Sequence, residues 1–216
     1  MFTVTGFTPF CGLGSNPSQD ILKRLEHPEV SKKVLLDVSM KSVERNLKKL
    51  CTGTGFVLHV GLDPGSTQFK LEKGAINTKS FSCPDNEGEQ PLDSPINQEK
   101  GKNTFLVTSL DLKKVMEKLK GFPVVISKYG GTFVSNYTYY RCLETCGKSN
   151  CLYVHVPPTS VIPLKDQVNF IRKLLDALKD QLSSPTGKVD PIEVIERFIG
   201  TKQKFPDLRF LLTYLR

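Results

Sequence analysis

Three polar residues are of the types that hydrolytic enzymes use to cleave an amide bond. Ser135 follows a Gly-Gly pair, His155 lies near the end of an apolar run, and Glu72 comes directly after Phe69–Leu71. A hydroxyl can attack a carbonyl when an imidazole takes its proton and a carboxylate orients that imidazole. Each residue alone also fits an ordinary structural role: a helix N-cap, a core histidine or a solvated glutamate. We therefore treat the three as a candidate catalytic set.

A second set of side chains imitates a zinc site. Cys142, Cys146, Cys151 and His155 offer thiolate and imidazole ligands at suggestive spacing. Cys142 and Cys146 are one helical turn apart, but Cys151 and His155 would lie about 13 Å apart on a continuous strand. One tetrahedral ion cannot easily reach both, so we predict no metal. The glycine clusters match neither a phosphate loop nor a dinucleotide fingerprint, so we also predict no cofactor.

Strands and helices must position these candidates. Short apolar runs rich in valine and leucine predict strands buried on both faces, and helical patterns separate several of them. The predicted strands are Phe2–Thr5, Val34–Val38, Phe56–Val60, Thr104–Thr108, Pro123–Ser127 and Leu152–Val156. The predicted helices are Ser18–Leu25, Ser42–Leu50, Leu110–Leu119, Ser135–Glu144 and Leu164–Leu182. This alternation predicts an α/β fold, an αβα sandwich around a largely parallel twisted sheet.

The loops after four of the predicted strands hold the candidate residues. In open α/β sheets, ligands bind beyond the carboxyl ends of the strands. The four loops are Gly6–Phe10, Gly61–Gly65, Gly130–Ser135 and His155–Pro158. The polar stretch Ser80–Lys102, which is rich in proline and glycine, predicts a long surface loop of the kind that often carries function.

Length and composition predict one main domain. The chain has 216 residues, of which 38% are hydrophobic and 24% charged, enough for a sizeable core. We expect this domain to span residues 1–182, followed by an extension over 183–216 with a linker and a helix at Pro191–Ile199. The N-terminus lacks a basic leader region and no apolar run is long enough to span a membrane. We therefore expect a cytoplasmic protein without a membrane partner.

Charge and cysteine content argue against two other classes. The net charge is +8, but the lysines are scattered over helical stretches, so we interpret them as a solvated surface and predict no nucleic-acid partner. The six cysteines, in a chain of this length without a secretory signal, predict reduced thiols and no disulfide.

Six motifs in order along the chain resemble the pyroglutamyl-peptidase I family, cysteine peptidases that remove an N-terminal pyroglutamate from peptides. The resemblance covers most of the chain and implies the same fold. The motifs are Val4–Phe10 with Asn16-Pro17, His59–Gly61, Glu72–Asn77, Pro84–Gly88 with Gln90-Pro91, Ser127 through Gly130–Val134, and His155–Pro157.

The resemblance implies a role for each matched position. Glu72 and His155 would belong to a Cys-His-Glu triad, in which the imidazole draws a proton from the thiol and the glutamate holds the imidazolium. The implied ligand is a peptide with an N-terminal pyroglutamate, or free pyroglutamate. The residues that would line the slot for its pyrrolidone ring are Phe7, Phe10, Phe133, Val134 and Cys83.

The sequence departs from the family pattern at parts that the resemblance makes catalytic. Ser135 stands where the family has its nucleophilic cysteine, and Ser82 stands where an arginine lies near the oxyanion. Met40 replaces a small polar residue of the pocket in a weaker alignment. A hydroxyl is far less acidic than a thiol, whose pKa is roughly 8.5. Losing one oxyanion donor costs about 10²- to 10³-fold in rate.

Three interpretations follow from these departures. The chain is a catalytically impaired or inactive homologue, an active peptidase that uses Ser135 with His155 and Glu72, or an engineered form of an ordinary enzyme whose cysteine was replaced. Ser82 argues against the last, because one inactivating change would have been enough. The sequence predicts no oligomeric state.

Overall fold

A computed structural model describes residues 1–52 and 55–183. This part of the chain forms seven strands and five helices, which alternate except that three strands follow one another between the second and third helices. The strands are β1 (Phe2–Phe7), β2 (Val30–Leu36), β3 (Phe56–Leu62), β4 (Phe69–Ile76), β5 (Phe105–Val107), β6 (Val124–Tyr129) and β7 (Cys151–Val156). The helices are α1 (Pro17–Arg24), α2 (Met40–Cys51), α3 (Leu112–Glu117), α4 (Val134–Thr145) and α5 (Leu164–Ser183).

The strands form one sheet in the order β2-β1-β3-β7-β4-β5, with β6 paired to β4. The pairs β1 with β2, β1 with β3, β3 with β7 and β4 with β6 are parallel. Strand β4 is antiparallel to both β5 and β7. The predicted α/β fold with a largely parallel sheet is therefore confirmed.

Hydrophobic side chains fill both faces of the sheet. On one face, residues of α1, α3 and α5 such as Ile21, Val115 and Leu174 pack against the strands. On the other face, residues of α2 and α4 such as Val43 and Leu143 do the same. Burial on both faces is why the central strands β3 and β7 have almost uninterrupted apolar sequences.

Strand β4 is missing from the sequence prediction. Lys70, Glu72 and Lys73 interrupt its apolar pattern, and Gly74 is unfavourable within a strand. The strand forms because it pairs with three others, and Gly74 is needed because a Cβ there would overlap the backbone of Leu106 in β5. Glu72 therefore lies within the sheet and is 1% exposed.

Two strands correct the prediction that every strand is buried on both faces. Strand β2 ends the sheet order and exposes Ser31, Lys32 and Lys33. Strand β6 is only partly covered and leaves Val125 and Tyr129 exposed. Both lack the protection on two sides that the central strands receive.

The predicted long loop is present between β4 and β5, but it is anchored to the fold. Within residues 77–104 the only regular pairing described is an isolated bridge between Lys79 and Ser94. The buried amide of Asn77 donates to the carbonyls of Asn97, Lys100 and Gly101 at 2.9, 3.1 and 3.1 Å. These bonds fix the base of the loop, so its inner residues have defined positions.

The structure corrects the prediction that no cysteines pair. Cys11 is bonded to Cys83 and Cys51 to Cys146, with Cα separations of 6.1 and 4.8 Å. Both separations are ordinary for disulfides. Each pair is remote in sequence and meets only because the fold brings two loops, or two helix ends, together. Cys142 and Cys151 are free and buried.

Some sequence predictions concern the end of the chain. The extension over 183–216, with its helix at Pro191–Ile199, lies outside the described residues except for Ser183, and the domain boundary at residue 182 stays a prediction. No helix in the described part of the chain is long and apolar enough to cross a membrane.

Candidate active site

A buried histidine and a buried glutamate meet in the middle of the sheet. His155, near the end of β7, is 4% exposed, and its Nδ1 lies 2.7 Å from Oε1 of Glu72 on β4. The register of β4 and β7, which sets Lys70 opposite His155, brings the two side chains together. Since Nδ1 is occupied by the carboxylate, Nε2 is the nitrogen left for a proton transfer.

Ser135 lies in the first turn of α4, just after the turn that follows β6. The helix begins at Val134 with Phe133 as its N-cap, so Ser135 is not the cap that its sequence context suggests. Its hydroxyl donates to the carbonyl of Gly130 at 3.1 Å. Helix N-termini present free N–H groups and a partial positive charge, which suits a position where negative charge develops.

The Gly130-Gly131 turn can only be built from small residues. A Cβ at Gly130 would overlap the His155 ring and approach Glu72. Gly131 has φ +77°, in the region that glycine adopts without strain. The two glycines thus allow the loop carrying Ser135 to approach the imidazole.

A cavity of about 520 Å³ opens beside these side chains. Glu72, Ser82, Ser135 and His155 all contribute to its wall, so the structure brings the three candidate catalytic residues and the predicted oxyanion position to one space. They come from β4, the long loop, α4 and β7. The other lining residues are Phe10, Cys11, Leu13, Leu62, Asp63, Pro64, Lys70, Ser127, Tyr129, Gly130, Gly131 and Phe133.

The aromatic residues predicted to form a slot lie next to this cavity. Phe10 and Phe133 pack with their rings tilted by 31° and their centroids 5.6 Å apart, and both line the cavity wall. With Phe7 and Val134 they also enclose a second space of about 30 Å³, which Ser135 borders. Phe81 packs edge-on against Phe133 at 4.8 Å and supports its position from the long loop.

Two other predicted pocket residues lie elsewhere. Cys83 is bonded to Cys11 and is not among the residues lining either space, whereas Cys11 lines the larger one. Met40 begins α2, where its N–H donates to Asp85 at 3.0 Å, and it lines neither space.

Backbone anchors hold the loops of the site in place. The side chain of Asn136 accepts from the N–H of Ile76 at 3.0 Å and donates to the carbonyls of Ile76 and Thr78, both at 2.9 Å. These bonds join the start of α4 to the end of β4, and so fix Ser135 relative to Glu72. Thr132 exchanges hydrogen bonds with Ser80, at 2.8 and 3.1 Å, which joins the turn after β6 to the long loop.

The sequence analysis did not name two charged residues that line the cavity. Lys70 of β4 pairs with Asp63 at 2.6 Å, and both line the cavity. Burial tends to raise the pKa of Asp63, but the hydrogen bonds from Lys70 and from the Gly65 N–H outweigh it and hold that pKa below its ordinary value. Asp63 could have been found from the sequence, because it lies in the loop after β3 that the sequence analysis marked as functional. Lys70 could not, because it lies on β4, which was not predicted.

Comparison with known proteins agrees with this architecture. The model of the pyroglutamyl peptidase family matches residues 1–169, well over half of the chain. The chain belongs to the pyroglutamyl peptidase family.

Individual members of the family give the same result. Pyrrolidone-carboxylate peptidase 2 of Caldanaerobacter subterraneus subsp. tengcongensis is 33% identical over 165 residues, which cover 71% of this chain and 79% of the relative. The pyrrolidone-carboxylate peptidase of Pyrococcus furiosus is 34% identical over 168 residues, covering 71% and 79%. The crystal structure of pyrrolidone carboxyl peptidase from Thermus thermophilus superimposes with a TM-score of 0.75 at 29% identity, over 82% of this chain and all of that one.

The alternative zinc set is not assembled in this pyroglutamyl-peptidase fold. His155 faces Glu72, and the cysteines of the set lie elsewhere. Within the described residues, the metal-ligating side chains close enough to share an ion are Cys51, Cys142 and Cys146. Strand β7 separates Cys151 from His155 along its length, as the sequence argument anticipated.

Proposed function

We propose that this pyroglutamyl-peptidase homologue recognises an N-terminal pyroglutamyl residue but hydrolyses the following amide bond slowly or not at all. The observation that carries the proposal is the hydroxyl of Ser135, which donates to the Gly130 carbonyl beside an intact Glu72–His155 pair. The pair keeps a base and its orienting carboxylate, while the nucleophile is a group that does not ionise at neutral pH.

The departures from the family pattern support impairment. With serine at position 135, attack requires His155 to remove the hydroxyl proton in the transition state, because no resting thiolate can form. With serine at position 82, the place where the resemblance puts a cationic donor near the oxyanion carries a short neutral side chain in the cavity wall. Each loss raises the barrier for amide attack, and the two act on the same step.

The aromatic residues beside Ser135 support recognition. Phe7, Phe10 and Phe133 offer flat apolar surfaces that suit a pyrrolidone ring. The space of about 30 Å³ that these rings line is also bordered by Ser135, so the rings lie next to the hydroxyl. Phe10 is only partly buried and lies on the loop after β1, so we expect it to move when ligand binds.

A second candidate function is slow peptidase activity through Ser135, His155 and Glu72. It is favoured by the 2.7 Å contact of Glu72 with His155 deep in the sheet. Burying an ionisable pair is costly unless the two groups pair well. In this mechanism His155 takes the Ser135 proton, the oxygen attacks the amide carbonyl, and the protonated imidazole then protonates the leaving amine.

One experiment on the purified full chain tests both candidates. Calorimetry compares a pyroglutamyl peptide with the matching prolyl peptide, whose ring lacks the carbonyl, and a fluorogenic pyroglutamyl amide reports hydrolysis. We expect selective binding with little or no turnover. Equal or absent binding of both peptides would overturn the recognition proposal. Robust turnover that disappears in His155→Ala would instead establish the serine peptidase.

A further inference from the structure

Three cysteine sulfurs form a cluster away from the candidate active site. Cys51 is the last residue of α2, Cys142 lies in the final turns of α4, and Cys146 is the C-cap of α4. Their sulfurs all lie within 4.8 Å of one another. Cys51 and Cys146 are bonded, and the free Cys142 Sγ lies 3.3 Å from Cys146 Sγ. The disulfide thus leaves a third sulfur in the same group.

The spacing of these sulfurs suits one shared ion. Zinc binds thiolate sulfur at about 2.3 Å, so two ligands of the same ion lie at most about 4.6 Å apart. Once the Cys51–Cys146 bond opens, small side-chain rotations can set three sulfurs around a centre without moving the helices. We propose that, in the reduced protein, Cys51, Cys142 and Cys146 bind one thiophilic d¹⁰ cation, Zn²⁺ or Cu⁺.

The electrostatic surroundings favour a cation at this place. The C-termini of α2 and α4 converge on the cluster, and helix C-termini carry partial negative charge. Thiolates select Zn²⁺ and Cu⁺ over harder cations.

A buried imidazole supplies an independent observation. Nε2 of His59 is buried and has no hydrogen-bond partner among the described residues. His59 is the imidazole whose charge acts on Cys142. An orphaned buried nitrogen is uncommon in native proteins and can mark the place of an ion or water.

The cluster binds metal in only one of its two redox states. A dithiol reductant transfers two electrons and two protons to the Cys51–Cys146 disulfide, giving two thiols and the oxidised dithiol. Binding of the cation then releases the protons still held by the three thiols, because the thiolate is the ligand. The oxidised form has one free sulfur in the cluster, Cys142, and cannot hold the ion.

The experiment measures metal bound by the full chain. Protein reduced with a dithiol, and protein left oxidised, are each titrated with Zn²⁺ or with Cu⁺ against a chromophoric chelator, and metal content is confirmed by elemental analysis. We expect one equivalent bound by the reduced chain and none by the oxidised chain. The two titrations show which of the two cations the cluster takes.

Cysteine variants identify the ligands. Cys142→Ala and Cys51→Ser are each expected to weaken binding by at least about 100-fold, since each removes a direct ligand. Cys51 is only partly buried, so its variant remains informative if the buried Cys142 variant fails to fold. The matched control is Cys11→Ser with Cys83→Ser, which removes the other disulfide and should leave the affinity unchanged. A reduced chain that binds no metal, or binding that follows Cys11 and Cys83, would overturn the proposal.

Discussion

Two histidines on neighbouring strands give this molecule two very different imidazole environments. His155 on β7 and His59 on β3 are 4% and 0% exposed, and each has Nδ1 engaged, by Glu72 at 2.7 Å and by Thr5 at 2.8 Å. His155 lines a cavity of about 520 Å³ that holds the Ser135 hydroxyl. His59 lines neither described cavity.

We call His155, which lines the cavity, the open histidine, and His59, which lines neither cavity, the closed histidine. The more acidic thiol of the molecule, Cys142, interacts with the closed histidine. A hydrogen bond with Cys151 and the charge of His59 outweigh burial and lower the pKa of Cys142 to about 6. Cys142 is 0% exposed, so no substrate can reach it. His155 is a well-oriented base that lines an accessible cavity, but the group beside that cavity is the Ser135 hydroxyl, whose acidity is very low. Acidity and access are therefore separated in this fold, and catalysis by a resting thiolate needs both in one place.

The largest expected effect comes from placing a thiol in the open environment. Ser135→Cys should raise kcat/KM for a pyroglutamyl amide by about 10³-fold or more, because the new thiol can form an ion pair with His155. Steady-state kinetics with the fluorogenic amide measure this, and Ser135→Ala is the control. A silent Ser135→Cys protein with normal folding would mean that the open histidine is not arranged for catalysis.

The next effect tests what orients the open histidine. In the Ser135→Cys background, Glu72→Gln should lower kcat by about 10²-fold with a small change in KM, since an amide can no longer stabilise the imidazolium. A fall in kcat indicates that the imidazole is no longer oriented or stabilised, whereas a rise in KM would indicate weaker substrate binding. Glu44→Gln, at a surface carboxylate that pairs with Arg141, is the matched control. Equal effects of both variants would remove Glu72 from the mechanism.

A smaller gain is expected from a cation at the cavity wall. In the same background, Ser82→Arg should raise kcat by about tenfold, which is less than the 10²- to 10³-fold of a well-placed oxyanion donor because an introduced side chain is not held in place by its surroundings. Ser82 is exposed and lines the cavity, so a longer side chain has room to extend. Ser82→Gln, of similar length and without charge, is the control. If it matches the arginine variant, the gain comes from contact and not from charge.

Much of the open environment was predictable, because strand ends in a parallel sheet collect functional residues. The sequence predicted β7 and its His155, and the Gly-Gly turn that carries Ser135. It missed β4, the strand that holds Glu72, because apolar periodicity reports burial against a core and this strand keeps charged residues between three partners. The glutamate was identified through its motif and not through its strand.

The closed environment was not predictable in the same way. His59 appeared in the sequence only as part of a strand-end motif, and Cys51 stood apart from every cysteine pattern. Their proximity to Cys142 depends on how α2 and α4 pack on the sheet. Cys51 and Cys146, for example, are 95 residues apart in the sequence, so no local pattern can connect them. The disulfides were mispredicted for the same reason, since compartment arguments say nothing about which sulfurs the fold brings together.

The smallest effect tests whether the closed histidine is structural. Thr5→Val removes the hydroxyl that contacts His59 Nδ1 and leaves both ring nitrogens without a hydrogen-bond partner among the described residues. The free energy of unfolding should fall by about 1 kcal/mol, as for a buried polar group that loses its partner. Urea denaturation measures it. Thr138→Val is the control: its hydroxyl bonds the Val134 carbonyl of its own helix, so its loss should cost about half as much or less. Hydrolysis by Ser135→Cys should be unchanged by Thr5→Val, and a loss of activity without loss of stability would show that the two histidines are coupled.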